Sequence, residues 1–306
     1  SQRSPGPEIG SPMASLSAVV RAMRLHQWTK NLFVFAPVVF AKQLHLIGPV
    51  AESITAFLSV SFAASACYVV NDIQDLEADR QHPKKRLRPI ASGELPLRDA
   101  WALCGALFAL SAVMASLLGW WTLGTVALYV AVTLSYSYGL KHIPLLELFL
   151  VAAGFVIRIL VGSAATGLQA SPWLLLTTLF LSLLLAFGKR RGEIGRMGDE
   201  APSRRRVLEF YGLPFLDRSI TLLAGASLLC YAIYTTADVT VRKMGTEWLI
   251  ATTPFVAYGV LRYLYIVEHG NHAADSPSEL LLHDRSIQLA VLLWVVTAVL
   301  IIYTAP

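Results

Sequence analysis

The chemistry-bearing residues of this chain crowd into one stretch, Asn71-Asp72-Ile73-Gln74-Asp75-Leu76-Glu77-Ala78-Asp79. At spacings i, i+3 and i+7, Asp72, Asp75 and Asp79 fall on one face of a helix. Three carboxylates held that close repel one another, and at membrane depth their desolvation is costly, so something cationic must complete the group. Carboxylate oxygens suit hard cations, and Mg2+ binds through one or two of them plus the phosphates of a substrate. The bland alternative is a solvated acidic helix end. A basic run follows at once, His82-Pro83-Lys84-Lys85-Arg86-Leu87-Arg88-Pro89, and Lys85, Arg86 and Arg88 can pair with phosphoryl oxygens. Such a run also serves as a topology signal. Beside an acidic face it reads as a phosphate clamp, and the two together are the equipment for stabilising a departing diphosphate.

These residues have to be positioned by elements built for a bilayer. Of 306 residues, 55% are hydrophobic and only 15% charged, where a soluble domain carries about 25% charged. Mean hydropathy is +0.57. Apolar runs of roughly 20 residues recur from end to end, each long enough to cross a membrane. That excludes a soluble enzyme, a disulfide-stapled secreted domain and a disordered chain, and the ~10-residue alternation of a membrane barrel is missing. The expectation is an all-α polytopic membrane protein with nine transmembrane helices around a cavity that opens to the cytoplasm. They fall near 17–41, 51–71, 99–118, 121–139, 144–165, 172–188, 216–237, 247–267 and 286–304, the first with an amphipathic start at Arg21, Arg24 and His26. Residues 13–306 form a single transmembrane domain, and Ser1–Pro12, polar and rich in Pro and Gly, reads as a disordered tail or an expression remnant. The three cysteines, Cys67, Cys104 and Cys230, sit singly in apolar runs and read as small core hydrophobes.

Charge sorts the connections. Arg80, Lys84, Lys85, Arg86, Arg88 and Arg98 fill the second, Lys141 the fourth, and Lys189, Arg190, Arg191, Arg196, Arg204, Arg205, Arg206 and Arg218 the sixth. The third and fifth carry no charge. The positive-inside rule puts the N-terminus and the even connections in the cytoplasm, the C-terminus outside, and the protein in the inner (plasma) membrane. The net charge of +5 therefore points to anionic lipid or phosphate substrates and not to nucleic acid. Every polar cluster, the acidic stretch included, falls on the cytoplasmic face.

The NDxxDxxxD pattern at 71–79, followed by a KRxRPIASG pattern and set in a nine-span chain, resembles the UbiA family of intramembrane prenyltransferases. Ser135-Tyr136-Ser137-Tyr138-Gly139-Leu140-Lys141 is similar to that family's tyrosine/lysine segment after the fourth helix, and Gly154-Phe155-Val156-Ile157-Arg158 to its fifth-helix arginine. On cost alone an intramembrane Arg158 is a site candidate or an internal ion-pair partner. Ordinary members of the family carry a second aspartate-rich motif after the sixth helix, which binds prenyl diphosphate through a second Mg2+. Here that place reads Gly188-Lys189-Arg190-Arg191-Gly192-Glu193, with one acid behind three cations. A site so cationic favours a substrate with additional phosphate groups over a second metal.

This departure, with Gln27-Trp28-Thr29-Lys30-Asn31, Leu261-Arg262-Tyr263 and Leu282-His283-Asp284-Arg285, resembles one subgroup, the decaprenyl-phosphate phosphoribosyltransferases of mycobacterial arabinan synthesis. The resemblance implies a phosphoribosyl diphosphate donor, a polyprenyl phosphate acceptor and Mg2+. It implies that Asp72, Asp75 and Asp79 hold the metal and diphosphate, helped by Asn71, Lys85, Arg86 and Arg88. Lys189 and Arg190, or Lys30 and Lys141, would take the 5-phosphate or the lipid phosphate. Tyr136 and Tyr138 read either as phosphate hydrogen-bonders or as interfacial belt residues. The lipid phosphate is an anion near pH 7 and needs no general base.

Two other readings compete. If Glu193 and Asp199 supply a second metal site, a conventional prenyl transfer to an aromatic or other small acceptor follows. A secondary transporter coupling through Asp72 and Arg158 would be expected to show an internal repeat, and none is visible. Arg204-Arg205-Arg206 reads as a solvated or headgroup-facing run, and the seven histidines lack metal-ligand spacing. Assembly with further copies of the chain stays open.

Overall fold

The computed structural model describes residues 15–197, 206–269 and 284–304. Ser1–Pro12, Asp199, Arg204, Arg205, Leu282 and His283 lie outside them, and of Arg206 only the backbone is described. Among the described residues all regular structure is helical. Seven helical stretches are long and apolar enough to cross a membrane: Ile47–Gln74 (α3), Leu97–Leu117 (α5), Leu146–Thr166 (α7), Pro172–Gly195 within α8 (Pro172–Met197), Leu213–Thr236 (α9), Trp248–His269, whose α-helical part is Thr253–His269 (α11), and Arg285–Thr304 (α12). Shorter pieces are Leu16–Met23 (α1), Ala36–Phe40 (α2), Leu76–Gln81 (α4) and Asp238–Met244 (α10).

Two of the nine expected spans differ from this set. Trp120–Ser137 (α6) forms where expected, but its Trp, Thr, Ser and Tyr content dilutes it below the apolar level of the others. The span expected over 17–41 is not one helix. Ser15 caps α1 by accepting from the Ala18 N–H, and α1 stops at Arg24, whose φ of 52° is left-handed. A 3-10 run, Leu25–Phe35, and then α2 complete the passage. The partner helix makes room for this passage. A Cβ at Gly162 of α7 would lie 2.0 Å from the Val34 carbonyl oxygen, so glycine there lets the 3-10 backbone press directly onto α7.

In a bilayer no hydrophobic drive holds helix to helix, and small residues that admit close backbones take over. Helix α3 shows this: Ala56, Ser59, Val60, Ala63, Ala66, Cys67 and Val70 are buried along it, and Ser59 Oγ donates to the Ser111 carbonyl of α5 at 2.9 Å. Helices α7, α8, α9, α11 and α12 build the second half around Leu148, Leu184, Leu216, Val260 and Ile287. Gly188 of α8 is pressed against Tyr263 of α11, with a Cβ there 1.9 Å from the phenolic oxygen. Before α7, Leu145 takes φ 64° and donates its N–H to Tyr211 Oη at 2.7 Å, which fixes the start of the helix and the Glu147 that follows.

Candidate active site

Helix α3 ends at Gln74, Asp75 is its cap, and α4 begins at Leu76. The three aspartates therefore do not share one continuous helix face, which corrects the expectation from their spacing. The kink divides them. Asp72 and Asp79, 3% and 1% exposed, converge on Arg88, whose Nη1 lies 2.9 Å from Asp72 Oδ1 and 2.5 Å from Asp79 Oδ2. Arg24 also donates to Asp72 Oδ1, and Lys85 Nζ stands 3.7 Å from Asp79 Oδ1. Asp75 turns aside to Asn71 Nδ2 at 3.1 Å and Lys141 Nζ at 3.0 Å. One nitrogen bridging two buried carboxylates marks a position that accommodates a cation. The carboxylates are hard oxygen donors, so Asp72 and Asp79 fit a divalent ion whose remaining ligands are substrate or water oxygens. Among the described residues no three Asp, Glu, His or Cys side chains converge as a complete ligand group.

A second polar group lies where the 3-10 run crosses α7. Arg158 Nε donates to Asn31 Oδ1 at 2.7 Å and Nη2 to Tyr129 Oη at 2.9 Å, and the guanidinium lies over the Tyr129 and Phe155 rings at 4.8 and 5.2 Å. Asn31 is itself anchored, donating to Ser61 Oγ at 2.9 Å. Lys30 stands in the field of Arg158, Lys189 and Arg24. On α8 the next residue is committed elsewhere: Arg190 makes two parallel bonds to Glu147 at 2.7 Å each and a third to Glu193 at 2.7 Å.

The profile of the UbiA prenyltransferase family matches residues 32–283. The chain belongs to the UbiA prenyltransferase family. Relatives include a decaprenyl-phosphate phosphoribosyltransferase of Mycolicibacterium smegmatis, 34% identical over 97% of this chain and 96% of that protein. A protein of the same description from Mycobacterium tuberculosis is 35% identical over 94% of this chain and 96% of its own length. Among solved structures, a UbiA homolog from Archaeoglobus fulgidus bound to DMAPP and Mg2+ superposes with a TM-score of 0.72 at 18% identity, covering 94% of this chain and 99% of that one. The likeness to that structure is one of fold: an all-helical, multi-pass membrane bundle.

In this UbiA-family chain, Asn71, Asp72, Asp75, Asp79, Lys85, Arg88 and Lys141 are brought together at the end of α3. Arg158, bonded to Asn31 beside Lys30, makes the second group, and the charge of Lys189 bears on Lys30. Arg190 binds both Glu193 and Glu147, and Tyr136 lies in the field of Arg190. Arg86 is exposed, and its side chain has no hydrogen bond or ion pair among the described residues. Tyr138, 68% exposed at the end of α6, is not drawn into either group. Sequence reasoning missed Arg24, Tyr129 and Glu147. For Glu147 a signal existed: an acid opening a long apolar run needs an internal partner. Farther out, Arg262 Nη2 and Nε donate to Asp284 Oδ2 at 2.8 and 3.2 Å, and Asp284 Oδ1 caps α12 at the Ile287 N–H. Those bonds from Arg262 hold the Asp284 carboxyl below the ordinary carboxylate range.

Proposed function

We propose that this chain transfers a 5-phosphoribosyl group from phosphoribosyl diphosphate to a polyprenyl phosphate, decaprenyl phosphate in its relatives' case, releasing diphosphate. The observation that carries the reading is the replacement of a second acidic motif by Lys189-Arg190-Arg191, with the remaining acid, Glu193, held by Arg190. A conventional prenyl transferase site would need that acid for metal. The near full-length likeness to decaprenyl-phosphate phosphoribosyltransferases supports the same transferred group and acceptor.

In this reading Asp72 and Asp79 hold Mg2+, with Asp75 on its flank. Bound there, the ion neutralises charge on the leaving diphosphate. Arg88, Lys85 and Arg24 turn from the carboxylates to the phosphoryl oxygens and hold them at fixed donors, so stabilisation is in place before charge develops. Lys141 and Asn71 keep Asp75 oriented. An oxygen of the lipid phosphate attacks ribose C1 as the bond from C1 to the diphosphate oxygen breaks, its electron pair leaving with diphosphate. Attack from the opposite face inverts C1 through an oxocarbenium-like transition state, as in glycosyl transfer. The acceptor is already ionised, so no side chain has to remove a proton. The reacting face is cytoplasmic in the plasma membrane, where the basic connections lie, and the lipid tail stays in the bilayer.

The test uses purified protein in detergent with Mg2+ and radiolabelled phosphoribosyl diphosphate. Label entering the lipid phase only when polyprenyl phosphate is added, and not in EDTA, supports the reading. Transfer of a prenyl group to an aromatic acid instead would overturn it.

A further inference from the structure

Most cations in and around the two polar groups are neutralised by carboxylates. Arg88, Arg24 and Lys85 face Asp72 and Asp79, Lys141 faces Asp75, Arg190 faces Glu147 and Glu193, and Arg191 faces Asp217 at 2.9 Å. Two are not. Arg158 is buried, yet the partners of its Nε and Nη2 are the neutral Asn31 and Tyr129, and its Nη1 makes no hydrogen bond among the described residues. Lys30, half-buried, has neither hydrogen bond nor ion pair there, and the charges that bear on it are all positive: Arg158, Lys189 and Arg24.

Two cations, Lys30 and Arg158, brought together with no carboxylate bonded to either among the described residues, are unstable in a membrane protein's interior unless a ligand supplies the missing charge. The scaffold nonetheless forces them together. Trp28 Nε1 is bonded to Ser65 Oγ at 3.0 Å and Asn31 to Ser61, which staples the 3-10 run to α3 on both sides of Lys30. Asn31 also receives Arg158, and Gly162 admits the Val34 carbonyl against α7. The two Glu147 bonds to Arg190 tie α8, which carries Lys189, to α7. A backbone pinned on both sides of Lys30 and a guanidinium fixed at two of its nitrogens are preorganised for an anion.

Resting on the transfer reaction proposed above, we infer that Lys30 and Arg158 form a second anion subsite, distinct from the aspartate face, that takes a phosphate monoester. An ammonium offers three donors and the guanidinium a further free nitrogen, which suits a phosphate dianion with three terminal oxygens. Both substrates of the reaction carry such a group, the donor as its 5-phosphate and the acceptor as its lipid head. Arg190, which the motif alone places equally well, is excluded by its two carboxylates.

The test is calorimetric titration of the purified protein without Mg2+ and without turnover, using inorganic phosphate, ribose 5-phosphate and a short polyprenyl phosphate in turn. Lys30→Met is expected to weaken inorganic phosphate roughly tenfold or more, while Lys30→Arg retains most of the affinity. Lys243→Met, at the far end of the bundle, is expected to change nothing. A matching loss for ribose 5-phosphate assigns the subsite to the donor, and a matching loss for the polyprenyl phosphate assigns it to the acceptor. Wild-type affinity for all three ligands in folded Lys30→Met would overturn the inference. Phosphate binding that depends on Lys30 in a protein that fails to transfer phosphoribosyl would uphold the subsite while removing the reaction.

Discussion

Arg190 meets Glu147 through two parallel bonds, Nε to Oε1 and Nη2 to Oε2, each 2.7 Å long. Glu147 is fully buried and Arg190 nearly so. Removing one partner of such a pair leaves an uncompensated interior charge, a loss of about 3–5 kcal/mol, whereas replacing both by apolar residues is often close to neutral. Glu147→Ala should therefore lower the thermal unfolding midpoint in detergent sharply, and Glu147→Leu with Arg190→Leu should recover much of the loss. Equal destabilisation by the single and the double change would show that the pair is not the source.

The acidic face gives a sharper separation of stability from activity. Asp72→Asn and Asp79→Asn keep the shape and one acceptor oxygen but remove the charge that a divalent ion needs. Each should cost at least ~100-fold in turnover, on the scale of a lost transition-state electrostatic partner, with a protein that still elutes as a folded species. Asp75→Asn, whose carboxylate turns to Asn71 and Lys141, should cost less. Turnover rates measured across the three variants check the ranking.

Close backbone approach is tested at two glycines. Gly162→Ala would push a methyl to within 2.0 Å of the Val34 carbonyl oxygen, and Gly188→Ala one to within 1.9 Å of Tyr263 Oη. The first clash is with backbone, so the 3-10 run carrying Lys30 must move and activity should fall. The second is with the end of a buried ring, and Tyr263→Phe should partly rescue it. Kinetics of Gly188→Ala with and without Tyr263→Phe decide the point.

Asp284 supplies a pH signature. Arg262 holds its folded value below the ordinary 3.8. A carboxylate so depressed contributes stability that is fully present above the unfolded value and is lost as pH falls through the lower folded one. The stability gap between wild type and Asp284→Asn should be constant from neutral pH down to about 5 and should close below 3.8. Acid titration of the unfolding midpoint of both proteins measures it.

Apolar run length made the helical membrane class legible, because a bilayer admits few alternatives. The acidic and basic clusters were legible as a site for the same reason, since charge at a span end demands a partner. The geometry within the site was not. Spacing alone places Asp75 with Asp72 and Asp79, but helix α3 stops at Gln74 and the cap turns Asp75 toward Lys141. Likewise an apolar run over 17–41 cannot reveal that the segment passes as a 3-10 run, or that Gly162, over a hundred residues on, admits its Val34 carbonyl against α7. Arg190 read as a phosphate ligand because its partner Glu147 lies 43 positions away. Each miss is a tertiary contact overriding a local pattern.

The central claim is the identity of the group transferred, and the mass of the lipid product tests it most directly. Incubation of the purified protein with decaprenyl phosphate, phosphoribosyl diphosphate and Mg2+ should yield a lipid heavier by one phosphoribosyl group, with one diphosphate released per lipid modified. Unaltered decaprenyl phosphate, from a preparation that joins a prenyl chain to an aromatic acid, would contradict the account.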